Sequence, residues 1–135
     1  MRVIFIILSF AFGLPAAAET ACNCVALTPV EAAEQTGIAY AGQVVEVLAA
    51  RPRASEREVR VRVENAILGV EEGQEIVLRV LLVSNCGIEY PFVEGDEWLF
   101  FGTGEYRITL CSPDRPLDAR DLAELRRRFL GKKRR

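Results

Sequence analysis

Residues 58–64 read Glu-Val-Arg-Val-Arg-Val-Glu. Val59, Val61 and Val63 alternate with Arg60, Arg62 and Glu64, so a chain extended at period two puts three valines on one face and three charges on the other. No helical period fits that pattern. It predicts a half-buried strand, and the flanking sequence supplies partners for it. Upstream, Ile38 to Leu48 (IAYAGQVVEVL) is a second apolar run. Gly42 stands in its middle, where a strand bulges or bends. Residues 49–55 (AARPRAS) connect the two as a loop. Downstream, Gly69 and Gly73 punctuate a turn before a strand from Glu75 to Val83.

The pattern then repeats at short range. Ser84-Asn85-Cys86-Gly87 is a turn signal, and Gly95-Asp96 precedes the strand Glu97 to Phe101 (EWLFF). Gly102 to Glu105 forms a tight turn into Tyr106 to Cys111 (YRITLC). Trp98, Phe100 and Phe101 belong to the core. Five strands with short turns and a kinked first strand predict a small β-barrel, because closing the sheet removes its exposed edges.

Two helices flank these strands. Thr28-Pro29-Val30-Glu31 combines a capping threonine, a proline suited to the first helical position and the glutamate of a capping box, with Gly37 as the stop. Near the other end, Asp118 is an N-cap, with Asp121 at N3 and Leu117 and Leu122 spaced as a hydrophobic staple. Leu122, Leu125 and Phe129 make an apolar stripe, Gly131 ends the helix, and the late arginines suit the negative helix pole. The fold class expected is therefore all-β with flanking helices.

Composition narrows the function. Of 135 residues, 50% are hydrophobic and 27% charged, which places the chain among globular proteins. Histidine is absent. That excludes His-based triads, His general acids and His-containing zinc sites. The paired acids Glu71-Glu72 and Asp96-Glu97 fall at predicted turns. There is no nucleophile with a base, no phosphate loop and no cofactor fingerprint, so neither an enzyme nor a cofactor or resident metal is expected. Residues 126–135 (RRRFLGKKRR) carry seven of the 17 basic groups and no acid, whereas residues 19–125 have a net charge of −10. Such an acidic body disfavours nucleic acid. The basic set Arg126, Arg127, Arg128, Lys132, Lys133, Arg134 and Arg135 is either a solvated end or a contact for an anionic surface.

Residues 1–18 have the pattern of a secretory signal. Arg2 is followed by a mostly apolar run from Val3 to Leu14, too short to span a membrane, and by Pro15-Ala16-Ala17-Ala18. The mature domain expected is 19–131, followed by a basic tail at 132–135, in a secreted or periplasmic monomer. All four cysteines (Cys22, Cys24, Cys86 and Cys111) follow the signal, an even number in an oxidising compartment, which predicts two disulfides. Cys22 and Cys24 lie too close along the chain to bridge each other easily. In an extended segment they point the same way, so each staples the N-terminal segment to a different cysteine of the body.

Taken in order, Cys22-Asn23-Cys24 after a signal, Gly37-Ile38-Ala39-Tyr40-Ala41-Gly42-Gln43-Val44, Ile67-Leu68-Gly69, Asn85-Cys86-Gly87 and Phe92 to Gly95 leading into Trp98-Leu99-Phe100-Phe101, then Cys111, resemble the netrin-like module. The nearest likeness is to the N-terminal domain of the tissue inhibitors of metalloproteinases. The resemblance covers residues 22–112. It implies a five-stranded OB-type barrel and the disulfides Cys22–Cys86 and Cys24–Cys111. It also implies a partner, a zinc metalloendopeptidase, whose catalytic zinc is chelated by the amino group and carbonyl of Cys22 while Asn23 and Cys24 run along the cleft towards Val25. That chemistry requires Cys22 to be the mature N-terminus, whereas the best cleavage pattern ends at Ala18 and leaves Glu19-Thr20-Ala21 in front. Without it, the resemblance implies a binding or scaffold module for another extracytoplasmic protein, and the basic tail offers such a module a contact for an anionic surface.

Overall fold

The computed structural model of the chain describes residues 24–48, 56–81, 92–104, 107–109 and 111–131. The signal at 1–18, Cys22, Asn23, Cys86, the loop at 49–55, the turn at 84–87 and the tail Lys132, Lys133, Arg134 and Arg135 lie outside these residues. Helix α1 spans Pro29–Thr36. Strands β1 (Ala39–Val47), β2 (Glu56–Leu68), β3 (Glu75–Leu81), β4 (Glu97–Phe100), β5 (Arg107–Ile108) and β6 (Arg115–Pro116) follow, and α2 (Ala119–Phe129) comes last. The strands form one sheet in the order β5-β3-β2-β1-β4-β6, antiparallel except for the parallel pair β3 and β5. The chain is thus mostly sheet with two helices. Its described pairings run from β5 to β6, and closure of the sheet into a barrel is not among them.

The alternation in β2 holds, and the strand is longer than the sequence pattern. Val59, Val61 and Val63 are fully buried, while Arg62 and Glu64 are exposed. Beyond Glu64 the alternation breaks, yet pairing with β1 continues to Leu68 because the register shifts. Gly42 lies opposite Val63 but Ala41 opposite Asn65, and Tyr40 lies opposite Ala66 but Ala39 opposite Leu68. Each shift leaves one extra residue on β2, the definition of a bulge. Val63 therefore packs inward, while Ile67, of the same parity, packs on the other face.

Two apolar clusters result. The inner one gathers Tyr40 and Val44, Val59, Val61 and Val63, Ile76, Leu78 and Val80, Phe92 and Phe100, and Ile108. Residues from five strands share it, so the sheet curls around this face. On the opposite face, Ala39, Ala41, Ile67, Leu99 and Phe101 meet Ala32 and Ala33 of α1 and Leu125 of α2. Phe100 and Phe101, adjacent in sequence, thus serve different clusters. The small side chains let α1 approach the sheet closely. Where no helix covers this outer face, charges occupy it, with Arg60 bound to Glu46 at 2.7 Å and Arg62 to Glu64 at 3.1 Å.

Both helices begin as their sequences require. Thr28 Oγ1 accepts from the Glu31 N–H, Glu31 Oε2 accepts from the Thr28 N–H, and Gly37 adopts φ 70° at the C-terminus. Asp118 Oδ1 accepts from the Arg120 and Asp121 N–H groups. Leu117 and Leu122 both pack on the outer cluster. Helix α2 ends on Leu130 in a right-handed conformation, so Gly131 lies just past the cap. Strand β6 is absent from the sequence pattern because two residues carry no period. Its Pro116 is tolerated at a sheet edge.

Tyr40 joins packing to polar satisfaction. Its ring is fully buried 5.5 Å from that of Phe100, and its hydroxyl donates to the buried Gly102 carbonyl at 3.0 Å. Tyr40→Phe keeps the ring and removes that donor. The expected loss is about 1–3 kcal/mol of stability, seen as a lower urea midpoint with an unchanged m-value.

Candidate functional site

The residues from Cys24 to Thr28 have no regular structure, yet they are fixed at several points. At one end Cys24 is joined to Cys111, with the two Cα atoms 4.9 Å apart. At the other, Leu27 packs into the outer cluster and α1 begins at once. Between them Arg115 Nη2 donates to the Leu27 carbonyl at 2.9 Å, across 88 residues of sequence. The same guanidinium donates through Nε to the Pro113 carbonyl at 3.2 Å, which holds the fork in place.

The anchor beneath this segment is itself well tied. Ser112 Oγ accepts from the Thr109 N–H at 2.8 Å and Thr109 Oγ1 from the Cys111 N–H at 3.2 Å. Asp114 Oδ1 accepts from the Phe101 N–H at 2.9 Å, just past the end of β4. Strand β6 then pairs Arg115 with Leu99 and Pro116 with Trp98.

Held in this way, the segment presents Val25 outward with 80% of its surface exposed. A β-branched side chain this open gains nothing from the fold, and its segment is already ordered, so binding a partner would cost little further entropy. Val25, Ala26 and Leu27 border a shallow, open depression whose other wall is Glu31, Glu34 and Gln35 of α1. The rim is therefore apolar on one side and acidic on the other.

Of the expected contact residues, Cys22 and Asn23 lie outside the described part and Cys24 sits at the root of the exposed segment. The basic set divides. Arg126 donates to Asn65 Oδ1 at 3.4 Å, and Arg128 pairs with Glu34 at 3.0 Å, so both face the body of the protein. Arg127 lies on the surface beside Val30 and Glu124. Among the described residues no group of three metal-ligating side chains comes together. Asp114 and Arg115 were not legible as positioning residues. Their partners are backbone groups, and in Arg115's case one distant in sequence. No family model matches the chain. No curated protein matches it significantly.

Proposed function

We propose that the chain is an exported, non-enzymatic protein-binding module of netrin-like type. It engages a zinc metalloendopeptidase through the segment Cys22-Asn23-Cys24-Val25. The observation that carries this reading is the exposure of Val25 on a segment pinned by a disulfide, a half-buried leucine and an arginine fork. A neutral amine and a carbonyl oxygen at Cys22 would occupy the open position of a catalytic zinc and displace its water. Val25, three residues on, then contacts the protease beside its cleft.

The test separates surface from chemistry. Val25→Asp should leave stability within about 0.5 kcal/mol, because the side chain touches little. It should weaken inhibition of a zinc metalloendopeptidase more than tenfold. Protein beginning at Cys22 should inhibit, whereas the same protein acetylated there, or extended by one residue, should not. Equal inhibition by all three forms would overturn the chelation chemistry. The alternative module, without that chemistry, is favoured by the cleavage pattern after Ala18. It predicts partner binding that survives acetylation and still depends on Val25.

A further inference from the structure

Arg57 stands two residues before Val59, in the row that continues as Val61 and Val63. It lies opposite Val80 of β3, which is itself paired with Ile108 of β5. Directly paired residues share a face of the sheet, so the Arg57 side chain starts on the inner side. Its neighbours there, Val59, Val80 and Ile108, are buried members of the inner cluster. Arg57 is half-buried as a residue, but its Nε is fully buried and has no hydrogen-bond partner among the described residues. Four other arginines have their partners. Arg60, Arg62 and Arg128 each bind a carboxylate, and Arg115 binds two carbonyls.

A guanidinium stays charged in proteins, and a charge beside apolar side chains is costly unless an opposite charge and hydrogen-bond acceptors meet it. Among the described residues no ion pair reaches Arg57. We infer that Arg57 anchors a carboxylate-binding site on the inner side of the sheet, at the level of Val80 and Ile108. Nε–H and the adjacent Nη–H form a planar fork that fits the two oxygens of one carboxylate. A single negative charge balances the single positive one, whereas a phosphate dianion would leave an excess beside the valines. The carboxylate comes either from a small molecule with a hydrocarbon body or from an acidic side chain of a protein partner.

The full mature protein is titrated with sodium acetate and sodium octanoate at constant ionic strength, with the thermal midpoint and the Arg57 Nε–H resonance as readouts. Saturable stabilisation that also moves that resonance is expected, and it should be absent from Arg57→Met. Octanoate acting at lower concentration than acetate assigns the site to a free carboxylate with an apolar tail. Equal action assigns it to a carboxylate side chain. No saturable effect of either salt, or the same effect in Arg57→Met, overturns the site. Without ligand, Arg57→Met should be at least as stable as the parent protein. A clear loss would mean that the fold itself satisfies the guanidinium, and would overturn the site as well. Arg57→Lys, which keeps the charge but not the fork, should bind more weakly than the parent.

Discussion

Replacing Cys24 and Cys111 together by serine is expected to cost about 2–5 kcal/mol of stability. The bond closes a loop across 87 residues of sequence separation, most of the chain, so its loss returns much freedom to the unfolded state. The folded state should respond unevenly. The sheet keeps its two apolar clusters, whereas Val25 and Ala26 lose one of their two anchors. Only Leu27 and its bond from Arg115 would still hold the segment. Urea unfolding should show the lower midpoint, and limited proteolysis should cut at residues 24–26 before any other described segment. If Val25 contacts a partner as proposed, that binding should fall more than global stability predicts under conditions where the variant is still folded. An unfolding free energy within about 1 kcal/mol of the parent would show that the bond tethers locally without constraining the fold.

Gly69→Ala is expected to be comparably damaging, by about 2–4 kcal/mol, for a different reason. Gly69 has φ +73°, and a Cβ built on it would lie 2.5 Å from the Gly37 carbonyl oxygen and 2.7 Å from Ile38 Cδ1. Gly37 is the left-handed cap of α1, so the turn after β2 is pressed against the end of the helix. Neither backbone can retreat without disturbing the cap or the first pairs of β1. Gly73, in the same turn, supplies the control. It has φ +78° with nothing within 4 Å of its Cβ position. Gly73→Ala should therefore show the conformational cost alone, about 1 kcal/mol. Equal losses in the two variants would show that the contact between turn and helix cap contributes nothing.

The parts of the fold legible in the sequence are those governed by local chemistry. The Thr28 and Glu31 box, the Asp118 cap and the valine alternation of β2 each state their structure within a few residues. Gly42 marked one bulge for the same reason, since its Cβ position is crowded by Arg62, Phe100 and Tyr40 at 3.2 Å. What could not be read depends on distant partners. The extension of β2 beyond Glu64 follows from its pairing with β1, and β6 exists only because β4 is there to receive it. Val25 was part of the expected contact segment, but its exposure rests on Arg115 and Asp114, whose roles are set by backbone atoms elsewhere in the chain.

The stitching of residues 111–117 also has a mechanical consequence. A pull on the exposed Val25 loads Cys24, and the disulfide passes that load to Cys111. From there it spreads into β4 through the Asp114 bond to Phe101, the β6 ladder and the bond from the Leu117 N–H to the Glu97 carbonyl. Strand β4 is fastened along its other side to β1 over four residue pairs. Force applied at this exposed segment is thus shared in shear by the interior of the sheet, and α1, the neighbour in sequence, is spared from being peeled away.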